Sequence, residues 1–426
     1  MELTKEKEML SNKFKEALMC LIIFWNRLKV EKIFVILPLA ICIILGAFSG
    51  CTHDKIEISS EEVISPINTM KPVLRVYIEN SGSMDGYMSN GAQLKDAIFD
   101  YVSDLNGYTE KTELYYINSK TIPFVGNVEH YVKTMTPATF KKAGGNLSNS
   151  DIGTMIGTVL NNMNDSTVCM FISDCILDLP AADAQKFLNN CRISIKNAIN
   201  EGRKRIPNLG VEVLKMTSDF NGKYFYQNGL VENLIDVKRP YYIWIFGDSN
   251  VLANLNSEVP FSGLKKYGFE DLVSFTKKVN VPYDIKNKAI TSPVINPIKG
   301  NYIATIRADF RATLHPEIEI QNPSNYSFNN PSLLIETIQP ITAKDSYYTH
   351  FITIVIPKGV KIAQDNLIFN APKIPNWVSE SNDETGQDIK SNLTKTTGIK
   401  HIIEGVADSY KKDNISTNFK FTIKRI

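Results

Sequence analysis

Hydroxyl and carboxylate side chains occur at three places where a predicted strand ends or a predicted helix begins. Glu79, Ser81 and Ser83 follow one strand at alternate positions, Asp174 follows a second strand, and Ser150 precedes a helix. Oxygen atoms of these two kinds are the ligands that a hard divalent cation such as Mg²⁺ prefers. Side chains of these types could therefore bind a cation such as Mg²⁺ if the fold brings them together.

The elements that must position this site alternate between short apolar strands and amphipathic helices over residues 72–285. Apolar runs without a two-residue polar alternation are typical of strands that are buried on both faces. We therefore predict an open, mostly parallel α/β sheet of Rossmann-like type with helices on both faces. The predicted strands are Val73–Ile78, Thr112–Ile117, Thr167–Ser173, Val211–Met216 and Tyr241–Phe246, and the predicted helices are Gln93–Leu105, Ile152–Asn162 and Ala182–Asn200.

The predicted sheet places two of the carboxylates at the same edge. Ligands of open α/β sheets bind in the crevice beyond the carboxyl ends of the strands. Glu79 and Asp174 both stand at such ends, on strands that we expect to be neighbours. A single Ser-x-Ser turn after a strand is a weak signal, because polar turns are common there. Three loops that carry such side chains, each directly after a strand or before a helix, are a much stronger signal.

The first loop also carries a family resemblance. Glu79-x-Ser81-x-Ser83, with Met84 and Gly86 after it, resembles the metal-ion-dependent adhesion site of von Willebrand factor A domains. That motif opens with Asp-x-Ser-x-Ser and often continues as Met-x-Gly. The departure is Glu79, which is one methylene longer than the Asp of the family.

The other two loops extend this resemblance to about residues 73–260. Ser150-Asp151-Ile152 resembles the Thr-Asp-Ile loop of the family, with Ser150 in the place of Thr, and Asp174 stands where the family has its last acidic residue. The resemblance implies a von Willebrand factor A-like fold, a bound Mg²⁺ or Mn²⁺, and a protein ligand that supplies a carboxylate to the metal. The alternative is that these Ser and Asp side chains only cap helices and satisfy turn amides.

Two further acidic residues lie close to the proposed ligands in sequence, and a third follows the last predicted strand. Asp85 and Asp151 are candidates for outer hydrogen-bond acceptors around the metal, but solvent-facing turn positions explain them more simply. Asp248 follows the last strand, and we interpret it as a turn residue.

Catalysis receives little support from the sequence. Gly-x-Ser-x-Gly, His-Glu-x-x-His, Walker A and Gly-x-Gly-x-x-Gly patterns are absent, and the five His residues are scattered. We therefore predict a binding protein and no enzyme. The alternatives are a structural scaffold of the cell envelope with a vestigial metal site and, with less support, a hydrolase.

Charge excludes one class of partner. Residues 1–50 hold seven of the 47 Lys and Arg and five of the 45 Asp and Glu, which leaves 40 of each in the remainder. A balance of zero gives no electrostatic footprint for nucleic acid.

The first fifty residues are typical of an export segment. An uncharged apolar run, Ile33–Phe48, follows several basic residues and ends at Ser49-Gly50-Cys51. This pattern resembles a bacterial lipobox, with Phe48 where Leu is usual, and implies that Cys51 is acylated. An uncleaved membrane anchor is the alternative. Because no Asp follows Cys51, sorting rules of diderm bacteria favour the outer membrane.

The rest of the chain divides into a tether and a second domain. Residues 51–71 are polar and predict a tether, and residues 286–426 contain Pro-punctuated strand patterns that predict an all-β, sandwich-like domain. The Asn-Gly step in Asp219–Gln227 predicts a small hairpin beside the α/β sheet. Cys169 and Cys191 are predicted core residues, with a Cys175–Cys191 disulfide as an open alternative.

Overall fold

The computed structural model describes residues 56–60, 70–89, 91–148, 151–180, 182–227, 229–277, 280–286, 289–290, 301–343, 346–360, 363–370, 373–387, 389, 391–411 and 417–425. The predicted export segment, Cys51 and Ser150 lie outside the described residues, so the predictions made for them stay predictions. Within the described residues, no helix combines the length and the apolar character that crossing a membrane requires.

The described strands are numbered in chain order. They are β1 (Ile56–Ser59), β2 (Val73–Glu79), β3 (Lys111–Ile117), β4 (Thr121–Phe124), β5 (Thr167–Ser173), β6 (Leu209–Phe225), β7 (Val231–Asp248), β8 (Phe269–Phe275), β9 (Tyr283–Ile285), β10 (Ala289–Ile290), β11 (Tyr302–Ala308), β12 (Tyr326–Phe328), β13 (Leu334–Pro340), β14 (His350–Ile356), β15 (Ala363–Phe369), β16 (Asn382–Asp383), β17 (Thr396–Thr397) and β18 (Thr417–Arg425).

The described α-helices are α1 (Gln93–Asn106), α2 (Val128–Thr134), α3 (Pro137–Lys142), α4 (Ile152–Asn161), α5 (Ala184–Arg205), α6 (Ser249–Glu258), α7 (Glu317–Ile320), α8 (Asn376–Glu380) and α9 (Ile399–Tyr410). Short 3₁₀ helices cover Gly82–Met88, Phe261–Tyr267, Arg311–Thr313 and Pro323–Asn325.

A seven-stranded mixed sheet forms the α/β part of the protein, in the order β4-β3-β2-β5-β7-β6-β8. β2 pairs in parallel with β3 and with β5, and β6 runs in the same direction because it is antiparallel to β7, which is itself antiparallel to β5. Four of the seven strands, β2, β3, β5 and β6, therefore share one direction. Three of them, β3, β2 and β5, lie next to one another in the sheet. The predicted α/β class is confirmed at this level.

Both faces of the sheet are covered by helices. Along β2, Leu74, Val76 and Ile78 join one apolar cluster, which includes residues of α1, whereas Tyr77 joins a second cluster that includes residues of α4 and α5. β5 is buried along its whole length. This explains why neither strand shows a polar alternation in the sequence, since each face meets an apolar layer.

The hairpin predicted at Asp219–Gln227 differs from the observed one. β6 and β7 are 17 and 18 residues long and pair along most of their length, and the chain reverses after Phe225. The Asn221-Gly222 step lies within β6, at a register shift opposite Leu234. Gly222 is needed there because the hairpin crosses the 3₁₀ helix Gly82–Met88: a Cβ on Gly222 would lie 2.7 Å from the Cα of Gly86.

The C-terminal third is not all-β, in contrast to the prediction. α9 packs on α5, where Arg192 donates to Glu404 and Asp408 at 2.5 and 2.7 Å, and the Tyr410 hydroxyl donates to the Leu209 carbonyl at 2.8 Å. Residues of α8 and α9 belong to the apolar cluster of the α/β sheet. The segment from α8 to α9 thus returns to the α/β part, because its apolar helix face finds a partner there.

Two antiparallel sheets form the β-rich part, in the orders β10-β1-β18-β15-β12 and β13-β14-β11-β9. Residues of both sheets share one apolar cluster, including Ile58, Ile306, Ile354 and Phe419. The predicted antiparallel β part is confirmed. β1 lies inside the predicted tether and pairs with β18, since Ile56 and Ile58 supply buried side chains to this cluster.

The three described cysteines, Cys169, Cys175 and Cys191, are free thiols. Cys169 is buried, as predicted, whereas Cys191 is only partly buried. The open alternative of a Cys175–Cys191 disulfide is therefore not what the structure has.

The close crossing at Gly222 gives a stability prediction. Gly222→Ala should lower the free energy of unfolding by about 1–3 kcal/mol, because the added methyl group meets backbone that cannot rotate away. The measurement is chemical denaturation of the full-length chain. Gly263→Ala is the matched control, since a Cβ there meets nothing within 4 Å; equal stability of the two variants would contradict the prediction.

Candidate metal site

Parallel pairing aligns the ends of β2 and β5. Ile78 is the register partner of Ile172, so Glu79 and Ser173 end the two strands side by side, and Asp174 follows directly. Glu79 is 0% exposed and Asp174 is 1% exposed. Two carboxyl groups are therefore buried at the same edge of the sheet, as the sequence predicted.

Ser173 connects the two strand ends and was not singled out from the sequence. Its hydroxyl donates to Oε2 of Glu79, and it accepts from the backbone N–H of Cys175 at 2.8 Å. Both groups are buried, so this bond holds the Glu79 carboxylate in one orientation. A serine that ends an apolar strand immediately before an acidic residue is the only sequence signal for it.

The Ser-x-Ser turn lies against Asp174. The hydroxyls of Ser81 and Ser83 are 3.0 Å apart, and a hydrogen bond from Ser83 lowers the pKa of Asp174. Ser81 is 2% exposed, whereas Ser83 is half-buried. Four of the five proposed ligands therefore lie close together: Ser81 and Ser83 are hydrogen-bonded to each other, and Glu79 is near enough to Asp174 to oppose its ionisation.

Asp174 has an oxygen atom whose hydrogen-bonding capacity is unused. Oδ1 accepts from the backbone N–H of Ile176 at 3.3 Å, but Oδ2 is buried without a hydrogen-bond partner among the described residues. Burial and the nearby Glu79 carboxylate raise the pKa of Asp174 to about 7, and the Ser83 hydrogen bond offsets only part of this. A buried carboxylate pair of this kind takes up either a proton or a cation.

The turn after Asp174 has an unusual backbone. Cys175 adopts a left-handed conformation with φ of 54°, which a residue with a side chain rarely takes. Trp244 on β7 donates its indole N–H to the Cys175 sulfur at 3.2 Å, and both side chains are buried. The buried contact with Trp244 stabilises the left-handed backbone of Cys175. Strained backbone conformations are concentrated at functional sites.

The second loop contacts the first one. The backbone N–H of Gly82 donates to the Leu147 carbonyl at 3.0 Å, and Asn118 donates to Asn80 at 2.9 Å and to the Gly144 carbonyl at 2.8 Å. These bonds bring the segment that leads to Ser150 beside the Ser-x-Ser turn. Ser150 itself is outside the described residues, so its predicted role is not tested.

The three further acidic residues, Asp85, Asp151 and Asp248, have other partners. Asp85 forms an ion pair with Lys141, and Asp151 caps α4 by accepting from the Thr154 N–H at 3.0 Å. Asp248 caps α6 at the opposite edge of the sheet, because β7 is antiparallel to β5. Asp151 and Asp248 are thus helix caps, whereas Asp85 is a buried ion-pair partner, not a solvent-facing turn residue.

Arg239 is the charged residue that sequence analysis missed. It is 1% exposed, and its Nη1 donates to the carbonyls of Leu393 and Lys395 at 2.7 and 3.2 Å, whereas Nε and Nη2 have no hydrogen-bond partner among the described residues. Its positive charge lowers the pKa of Asp174. The sequence gives no signal for it, since Lys238-Arg239-Pro240 looks like a solvated turn before an apolar strand.

The site has two carboxylates and no histidine or cysteine ligand. No group of three or more His, Cys, Asp or Glu side chains in the described part of the chain is arranged to hold a metal ion. A metal here would therefore depend on serine hydroxyls and water for its remaining coordination, which suits Mg²⁺ and does not suit Zn²⁺.

Comparison with known proteins gives no family for this chain. No protein-family model matches the sequence, and no curated protein matches it.

The raised pKa of Asp174 predicts how stability depends on pH without divalent cations. The folded state keeps this proton up to about pH 7, whereas the unfolded chain loses it near pH 4, so stability from this group is complete below about pH 4 and falls as pH rises through 7. Asp174→Asn should remove this slope, which is at most about 1.4 kcal/mol per pH unit.

The measurement is urea denaturation in EDTA between pH 4.5 and 8. Asp178→Asn is the matched control, because Asp178 is exposed and four residues away. The prediction fails if the Asp174 and Asp178 variants show the same pH dependence as the original chain.

Proposed function

We propose that this chain is an extracytoplasmic lipoprotein that binds Mg²⁺, or Mn²⁺, at Glu79, Ser81, Ser83, Ser150 and Asp174, and captures a protein ligand through that ion. The observation that carries the proposal is the unpartnered Oδ2 of Asp174, buried beside a second buried carboxylate. This is the arrangement expected of a variant metal-ion-dependent adhesion site on a von Willebrand factor A-like fold.

Charge balance favours a divalent cation over two protons. Glu79 and Asp174 together carry two negative charges when ionised, and Ser81 and Ser83 add oxygen atoms without charge. A divalent ion neutralises the pair and removes the repulsion that raises the pKa of Asp174. The neutral hydroxyls leave the ion electron-poor, so it can accept a carboxylate from a partner.

The surroundings of Ser83 suit a protein ligand. Ser83 is the half-buried member of the set, so access from solvent is on its side. Phe225, at the end of the β6–β7 hairpin, lies beside Gly82, where its ring would be 3.6 Å from a Cβ. Phe225, Val231 and Ile235 are 45, 47 and 66% exposed. Exposed apolar side chains grouped on one hairpin are typical of a protein-binding surface.

The location is proposed from the sequence alone. An export segment over residues 1–50, acylation of Cys51 and the absence of Asp after it support a lipid-anchored protein of the bacterial cell envelope, on the outer membrane. Membrane association would then come from the lipid and not from a spanning helix.

Two other functions stay open as outcomes of the tests. A structural scaffold with a vestigial site is favoured if the carboxylate pair takes up protons and no metal. A hydrolase would need a base near the serines. The rings of His315, His350 and His401 bond to Glu319, Glu317 and Glu384 instead. The ring of His130 lies beside Phe124.

Metal binding is the first test. Mg²⁺ at millimolar concentration should raise the midpoint of thermal unfolding of the full-length chain at pH 8, because binding to the folded state stabilises it. Asp174→Asn and Ser81→Ala should abolish this shift. Glu79→Asp, which restores the shorter acidic side chain of the family, should increase the affinity for Mg²⁺ in calorimetric titration.

Ligand capture is the second part of the same test. A protein retained from the native envelope should be released by EDTA and restored by Mg²⁺, and the Asp174→Asn variant should not retain it. Asp178→Asn should behave like the original chain. Absence of any Mg²⁺ effect on stability would refute the metal site and favour the scaffold.

A further inference from the structure

A cleft lies between the α/β part and the β-rich part, away from the candidate metal site. Its volume is about 680 Å³. One wall is formed by α6, the 3₁₀ helix Phe261–Tyr267 and β8, and the other wall by residues 310–320 and the start of β14. All these elements belong to the same compact unit of the fold.

Glu212 on β6 lines this cleft and is fully buried. Its Oε1 accepts from the side-chain amide of Asn256 on α6 at 2.8 Å. Its Oε2 is buried and has no hydrogen-bond partner among the described residues. A carboxyl oxygen in this state is costly to the fold unless a donor from outside the chain completes it.

The ionisation of Glu212 responds to its surroundings. Burial raises its pKa to about 8, and the Asn256 hydrogen bond lowers it only in part. Near pH 7 the Glu212 side chain is therefore mostly a neutral acid. A bound cation would favour the carboxylate form and gain a charge-assisted hydrogen bond.

The other charged groups of the cleft are mostly paired with neighbouring residues. Glu270, Asp271 and Glu317 line it as well, against Lys265 and Arg311. Arg311 is already bonded to both oxygens of Asp309, at 2.8 Å each. His315 and His350, which also line it, are bonded to Glu319 and Glu317 at 3.1 and 2.9 Å. Glu270 is paired with Lys215 at 2.9 Å. Among the described lining residues, Oε2 of Glu212 is therefore the buried side-chain acceptor that has no hydrogen-bond partner.

The remaining lining is largely apolar. Phe261, Phe269, Leu272 and Leu314 contribute side chains, and Ile318, which is 79% exposed, lies in the part of the lining that reaches solvent. An apolar cleft with one buried acidic group matches a ligand with an apolar body and a single positive end.

We propose that this cleft is a binding site for a small molecule with a primary ammonium group on an apolar body, and that Glu212 accepts the ammonium. The ammonium donates to Oε2, while Asn256 keeps Oε1 in place. The apolar body of the ligand lies against Phe261 and Phe269. This site is independent of divalent cations and of the proposed adhesive function.

The test uses three probes of similar size in calorimetric titration of the full-length chain in EDTA: 2-phenylethylamine, 2-phenylethanol and 3-phenylpropionate. The amine should bind at least about tenfold more tightly than the alcohol, and the acid should not bind, because only the amine supplies a charged donor to Glu212.

Glu212→Gln should lower the affinity for the amine at least about tenfold and leave that for the alcohol unchanged. Glu201→Gln, on the exposed face of α5, is the matched control and should change neither affinity. Since a neutral Gln replaces a largely neutral acid, the variant should fold, which circular dichroism checks. Equal binding of amine and alcohol, retention of amine affinity by Glu212→Gln, or binding of none of the probes would overturn the proposal.

Discussion

Two carboxyl groups, on Glu79 and Asp174, are held inside this protein at the ends of adjacent parallel strands. Like charges this close, removed from water, oppose each other's ionisation, and the pKa of Asp174 rises to about 7 as a result. Their burial destabilises the folded state by several kcal/mol unless a proton or a cation neutralises the charge.

The fold supplies both the burial and the rigidity. The Ser173 hydroxyl bonds Glu79, the left-handed turn at Cys175 directs the chain away after Asp174, and the long β6–β7 hairpin crosses the Ser-x-Ser turn. The C-terminal segment closes the same region, since Arg239 donates to its carbonyls and Leu177 donates to the Thr397 carbonyl at 3.1 Å. Elements that are distant in sequence thus converge on one short stretch of backbone.

Much of the α/β core was predictable because its signal is local. Five strands and three helices follow from apolar runs and helical periodicity, and parallel strand ends necessarily bring Glu79 and Asp174 to one edge. The same logic located the turn residues Ser81 and Ser83. Asp248, which we interpreted as a turn residue, ends β7 and caps α6, and the antiparallel direction of β7 explains its distance from the site.

The errors share a different origin, which is tertiary contact. Nothing local shows that Asn221-Gly222 lies inside a long strand and crosses Gly86, or that the helix Ile399–Tyr410 packs on Ala184–Arg205. The burial of Arg239 and of Ile56 depends on partners more than 100 residues away, Leu393 and the strand Thr417–Arg425 respectively. Periodicity contains no information on such partners.

The central claim is that the carboxyl groups of Glu79 and Asp174 bind a divalent cation, and not a proton, in the native protein. A crystal grown with Mn²⁺ tests this most directly, because anomalous scattering locates the ion without reference to activity. The account predicts one strong peak within about 2.5 Å of oxygen atoms of Asp174 and of Ser81 or Ser83. A crystal at pH 8 with millimolar Mn²⁺ and no peak there would contradict it.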